Sequence, residues 1–190
     1  MEKLCRIDNE FLDVVQRIGG TSAGSIMAVF IGVGYNLNEI KSKLGDLDFK
    51  DFLDGKHKEL FLYLKDKKIT RKRLLLELLR GTIRSLWGHV SKNFGLFRGE
   101  AFRDWIEDNI FAKTNRHNTT FRELHELREE GLTEYKDLYF VGTNLTRMES
   151  EVFSFETTPD MVIADAVRIS MSIPFLFVPH YRYVTHQYIA

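Results

Sequence analysis

The sequence has a single cysteine, Cys5, three prolines and no net charge, and each scarcity removes a class of protein. One cysteine cannot close an intrachain disulfide, which excludes a disulfide-stapled scaffold and suits a reducing, cytoplasmic setting. The prolines, at 159, 174 and 179, all sit near the end of the chain, so no proline-rich linker divides it. Lys plus Arg (27) balances Asp plus Glu (27), so no global field steers the chain toward nucleic acid, and nucleic acid is not expected as a partner. Long apolar runs are missing too. The longest, Ile26 to Tyr35, carries two glycines and is about half of the roughly 20 residues a membrane-spanning helix needs. The amino terminus, MEKLCRIDNEFLDVV, mixes acids with bases and has no apolar core, so it does not read as a secretory signal. Residues 1 to 18 contain no glycine.

What remains is a globular composition: 190 residues, 44% hydrophobic and 28% charged, enough for one domain with a real core. Apolar runs and helical periodicity alternate along it. Leu12 to Ile18 reads as a short buried strand and Ser25 to Tyr35 as a buried helix. Asn36 with Glu39, and Thr120 with Glu123, have the spacing of capping boxes. They open helices running to about Leu44 and to near Gly131. Glu100 to Phe111 is a further amphipathic helix, and Lys65 to Lys92 is helical for much of its length. Leu138 to Thr143 is the clearest strand, with Val152 to Phe155 beside it. Asp160 to Ser172 reads as a helix stopped by Pro174, and Tyr181 to Val184 as a last strand. Strands alternating with longer helices predict an α/β fold with a largely parallel central sheet covered on both faces.

The chemistry concentrates in Gly19-Gly20-Thr21-Ser22-Ala23-Gly24-Ser25, which contains G-x-S-x-G at 20 to 24. With 13 Gly and 9 Ser, chance supplies about 0.04 such matches in a chain of this size. A predicted strand precedes the motif and a predicted helix follows it, the setting of a nucleophile elbow. Ser22 then sits on a sharp turn with its hydroxyl exposed. Gly20 and Gly24, lacking Cβ atoms, let strand and helix approach. The helix amino terminus, beginning at Ala23, aims free N–H groups where an oxyanion would form. The bland alternative is a glycine-rich turn with an N-capping serine. A phosphate loop would need G-x-G-x-x-G or a following Lys-Ser/Thr, and neither is present.

Four segments together resemble the patatin-like phospholipase family: RIGGTSAGSI at 17 to 26, LFRGEAFRDWI at 96 to 106, TFRELHEL at 120 to 127 and PDMVIADAVRISMSIPFLFVP at 159 to 179. The resemblance runs from Arg17 to about Val184. It implies an α/β/α sandwich that hydrolyses acyl esters of phospholipids and related lipids, needs no cofactor or metal, and works with a Ser–Asp dyad. Ser22 takes the nucleophile position. The family's glycine-rich oxyanion loop on an earlier strand has no counterpart in residues 1 to 18. Its aspartate in an Asp-Gly-Gly or Asp-Gly-Ala turn after the final strand is also missing, where this sequence reads Thr185-His186-Gln187. Residues 1 to 190 therefore read as a single partial domain, incomplete at both ends, with a sheet edge open to self-association.

Other groups late in the chain could serve as base. His180 and His186 lie late in the chain, as a triad order would want, while Asp160 and Asp165 suit a helix start and a surface. None is convincing as a substitute. Between Lys65 and Lys92, nine Lys or Arg face two acids, Asp66 and Glu77. Leu75, Leu79, Ile83, Leu86 and Val90 share one helical face, and Arg80, Arg84 and Trp87 could meet an anionic lipid surface. The same pattern fits a core-packing helix with a wet charged face. Three readings follow: a lipid acyl hydrolase, a non-catalytic remnant that at most binds lipid, and an interaction protein that finds membranes through the basic helix.

Overall fold

The computed structural model describes residues 14–45, 47–54, 95–173, 175–182 and 187–189. Strand β1 is Arg17–Gly20 and is followed by helix α1, Ala23–Gly32, and helix α2, Leu37–Gly45. After a single 3-10 turn at Phe49–Phe52 come β2, Gly95–Phe97, and α3, Glu100–Thr114. Helix α4 is Phe121–Glu129, and strands β3, Asp137–Asn144, and β4, Glu149–Phe153, form a hairpin. Helix α5, Ile163–Ser170, leads to β5, Phe175–Phe177, β6, His180–Arg182, and β7, Gln187–Ile189. The predicted helix over 65–92 lies outside the described residues.

Strand β3 is the centre of a five-stranded sheet ordered β1-β3-β7-β6, with β4 on its other side. Phe140 pairs with both Gly20 and Phe153, and Asn144 with both Glu149 and Ile189. A strand has two edges, so β1 and β7 lie end to end along one edge of β3, and β4 takes the other. The expected parallel pairing holds at β1–β3 and at a separate β2–β5 pair. Strands β4, β6 and β7 pair antiparallel, so the described sheet is mixed.

Side chains alternate across a strand, and on β3 the residues Leu138, Phe140 and Gly142 share a face. That face carries the core. The Phe121 ring of α4 packs on Phe140 at 5.9 Å. A Cβ placed on Gly32, at the end of α1, would collide with the Leu138 side chain. One placed on Gly142 would meet Ile169 of α5. Helices α1, α4 and α5 thus cover one face of the sheet. An aromatic cluster fastens α3 to them, with Trp105 ringed by Phe30 at 5.6 Å and Phe52 at 5.4 Å. Tyr139 looks the other way, its hydroxyl donating to Glu156, which also meets Arg17 at 3.6 Å.

Several boundaries move from their sequence expectations. The apolar run from Leu12 suggested a buried strand, but β1 starts at Arg17 and is half exposed, because β3 is its one strand partner among the described residues. Helix α5 starts three residues later than Asp160, since Met161 N–H first closes a turn onto the Thr158 carbonyl. The strand expected at 181 to 184 is β6, and the chain folds back into β7 beyond it. Both predicted capping boxes are present. Asn36 and Glu39 exchange bonds of 2.8 and 3.0 Å, and Thr120 and Glu123 exchange 2.8 and 3.2 Å.

Candidate functional site

Strand β1 ends at Gly20 and α1 begins at Ala23, so only Thr21 and Ser22 make the reversal. Such a turn is possible only if strand and helix nearly touch. A Cβ on Gly20 would lie 2.2 Å from the Gly24 carbonyl oxygen and 2.6 Å from the Ser25 nitrogen, so no other residue fits there. Gly24 differs from the expectation. A Cβ on it would meet nothing within 4 Å, because the Gly24 backbone, not its missing side chain, receives Gly20. Ser22 has φ 52 and ψ −127, a conformation that side-chain-bearing residues rarely adopt. Thr21, Ser22, Ala23 and Gly24 are all exposed, while Ser25 behind them is buried.

The hydrogen bonds of the turn divide its donors. Gly24 N–H reaches the Thr21 carbonyl at 2.9 Å and Ser25 N–H the Ser22 carbonyl at 2.8 Å, with the Ser25 hydroxyl joining at 2.5 Å. The Ser22 N–H donates to Ser170 Oγ at 3.1 Å. The Ala23 N–H has no acceptor among the described residues. It is the first amide of α1, at the positive end of the helix dipole, and no acidic residue sits in that first turn to neutralise it. Ser22 Oγ lies 3.7 Å from Met171 Sδ. A thioether is a weak acceptor and no base.

Met171 also lines an apolar cavity of about 190 Å³, together with Phe52, Leu53, Phe102, Ile173 and Leu176. Arg168 lines both this cavity and a second pocket of about 370 Å³ that includes Arg98, Arg103, Asp165 and His180. Burial pulls the Arg168 pKa down, and the guanidinium is held by the Arg98 and Val178 carbonyls and the Ser172 hydroxyl rather than by a carboxylate. It ties the loops after β2 and β5 to α5.

The other candidate bases fall elsewhere. Asp160 pairs with Arg122 at 2.9 Å and Asp165 with Arg103 at 2.8 Å. The Asp160 pKa is lowered by its Arg122 hydrogen bond. His180 is exposed on β6, and His186 lies outside the described residues. A His–Asp pair does exist, with the aspartate buried and the histidine partly so: His125 Nδ1 is 2.9 Å from Asp137 Oδ1, and Arg128 holds the other oxygen at 3.0 Å. Asp137 pairs with the first residue of β1, however, and Ser170 touches β3 at Val141. Four residues of strand, about 13 Å, separate those points. The pair sits at the wrong end of the sheet. Arg80, Arg84 and Trp87, the expected membrane contacts, lie outside the described residues.

Sequence reasoning missed Ser170 and Met171 as neighbours of the turn, although both lie in the segment 159 to 179 that carries the strongest resemblance. It also missed Asp54, whose carboxylate accepts the N–H groups of Arg98, Gly99 and Glu100 at 2.7, 3.1 and 2.7 Å and so caps α3.

Fold and turn together define an α/β protein organised around a strained serine between a sheet strand and a helix. The patatin-like phospholipase family model matches residues 1–189, and the chain belongs to that family. Similar proteins include an uncharacterized protein of Acanthamoeba polyphaga mimivirus, 28% identical over 87% of this chain and 43% of its own length. YqhO of Bacillus subtilis, also uncharacterized, is 29% identical over 86% of this chain and 47% of its own. A probable lipid hydrolase of Invertebrate iridescent virus 6 is 28% identical over 84% of this chain and 44% of its own. This chain therefore spans less than half the length of the relatives it matches. In fold it is similar to VipD from Legionella pneumophila, with a TM-score of 0.59 at 21% identity, covering 96% of this chain and 41% of VipD. No helix among the described residues is long and apolar enough to cross a membrane.

Proposed function

We propose that this chain presents Ser22 as the nucleophile of a lipid acyl hydrolase. The observation that carries the reading is the geometry of one turn: Ser22 is exposed at φ 52, and the Ala23 N–H directly after it has no acceptor among the described residues. In the proposed reaction Ser22 Oγ attacks the ester carbonyl carbon of a phospholipid or other acyl lipid. The Ala23 N–H, at the helix amino terminus, stabilises the oxyanion of the tetrahedral intermediate. The intermediate collapses with loss of the lipid alcohol, leaving an acyl-enzyme, and water then releases the fatty acid. The apolar cavity beginning at Met171 suits the hydrocarbon chain of such a substrate. Family membership supports the substrate class, and so does the similarity to a probable lipid hydrolase. Peripheral contact with anionic lipid through Arg80, Arg84 and Trp87 belongs to the same proposal.

A second reading, a chain that binds lipid without turning it over, is favoured by one contact. The partner of Ser22 Oγ is the Met171 thioether, and no carboxylate or imidazole is bonded to it among the described residues. Fatty-acid release from mixed phospholipid vesicles separates the two readings. Release by the wild type that vanishes in Ser22→Ala is the expected result. Vesicle binding with no release from either protein would leave the second reading standing.

A further inference from the structure

Ser22 holds a backbone conformation that costs free energy, so groups outside the turn must hold it there. The contacts made within the turn fix only the carbonyl side of Ser22, through the Ser25 N–H and hydroxyl. Its N–H is held by Ser170 Oγ at 3.1 Å, from a residue 148 positions later. Ser170 is the last residue of α5, and its hydroxyl donates to the Val141 carbonyl at 2.8 Å. A serine hydroxyl has one proton. With that proton spent on Val141, the oxygen can only accept from Ser22, so both bonds have a fixed direction.

The position of Val141 explains why this hydroxyl is needed. Phe140 is the last β3 residue paired with β1, and Asn144 is the residue paired with β7. Between them, residues 141 to 143 have no strand partner on that edge among the described residues. The gap opens where β1 must leave the sheet to turn at Ser22. One hydroxyl therefore serves an acceptor the sheet loses to the turn and a donor the turn exposes. It also opposes the easiest relaxation. Ser22 can relieve its positive φ by rotation of the Thr21–Ser22 peptide, and that rotation swings the N–H away from Ser170.

We infer that Ser170 is a positioning residue for Ser22, holding the turn in its strained form and leaving Ala23, not Ser22, to supply the free amide. The catalytic consequence rests on the proposed role of Ser22; the structural part does not. The test combines amide hydrogen exchange at Ser22 with the rate of Ser22 labelling by a fluorophosphonate, in wild type, Ser170→Ala and Ser170→Thr. Losing one hydrogen bond should speed Ser22 exchange about five- to tenfold in Ser170→Ala. Exchange at Leu124 in α4 should not change, which shows that the variant is folded. Labelling should slow by at least the same factor, and Ser170→Thr, which keeps the hydroxyl, should restore both. Ser170→Cys keeps the size with a poor acceptor and should fall between, supplying the comparison if the alanine variant does not fold. Unchanged Ser22 exchange in Ser170→Ala overturns the inference, as does labelling at the wild-type rate. A wild type that takes no label would sink the nucleophile assignment instead, and the exchange ratio alone would then decide whether Ser170 holds the turn.

Discussion

Helices α1 and α4 begin in opposite ways. At α4 the Thr120 side chain accepts the Glu123 N–H while Glu123 returns to the Thr120 N–H, so the cap is closed on itself. At α1 the capping position is Ser22, whose side chain caps nothing, whose φ is 52, and whose successor Ala23 has an amide with no acceptor among the described residues. Helix α2 is closed by Asn36 and Glu39, and α3 by Asp54 from 44 to 46 residues away. The fold evidently has the means to satisfy helix amino termini, both locally and at long range. The open, strained start of α1 is therefore what motivates the proposed role of Ser22.

The contrast breaks first at Gly20. Gly20→Ala places a methyl group 2.2 to 2.6 Å from the Gly24 and Ser25 backbone, which cannot yield as a side-chain tip would. A loss of about 3 kcal/mol in urea unfolding is expected, together with loss of any Ser22 reactivity. Gly24→Ala is the control one turn away, with open space around its Cβ. It should leave stability unchanged or raise it by about 0.5 kcal/mol through helix propensity. Equal losses for the two would mean that the close approach at Gly20 does not exist in solution.

Next come the closed caps. Asp54→Ala frees three amides of the loop and first turn of α3, two of them in exposed residues, and should cost about 2 kcal/mol. Thr120→Ala opens a cap of ordinary strength and should cost about 1 kcal/mol. Thermal or urea midpoints in one buffer rank the two. A smaller effect for Asp54 than for Thr120 would show that the long-range cap is only loosely made.

The same pair of helices marks how far the sequence could be read. Both capping boxes were legible because their partners are three residues apart, and the tight turn at Ser22 was legible because strand, turn and helix are contiguous. Asp54 was not, since nothing local ties it to Gly99 and the pairing needs the chain to close over more than forty residues. Ser170 and Met171 were visible only as part of a resemblance, because their contact with Ser22 depends on α5 lying against β3. Gly24 was misread for a related reason: G-x-S-x-G names two glycines, and only the folded turn reveals which one the neighbouring backbone requires. The run from Leu12 reads as a buried strand because Leu12, Val14, Val15 and Ile18 are apolar, whereas β1 is set by its parallel register with β3 and starts at Arg17.

The substitutions at Ser22 itself are the most diagnostic, because they are not expected to destabilise as loss of a closed cap does. At a closed cap, removing the side chain destabilises; at Ser22 the side chain contributes no cap, so Ser22→Ala should fall within about 0.5 kcal/mol of wild type. Ser22→Gly should do more. Glycine tolerates positive φ, which relieves strain worth about 1 to 3 kcal/mol. It also gains freedom in the unfolded chain, which offsets about 0.4 to 1 kcal/mol of that. The net expectation is a gain of about 1 kcal/mol, read as a raised urea midpoint at unchanged slope, in a protein that no longer takes a fluorophosphonate. A neutral or destabilised Ser22→Gly would mean that Ser22 is not strained in solution, and α1 would then differ from α4 only in lacking a cap. A stabilised and unreactive one would show that the turn trades stability for an exposed serine.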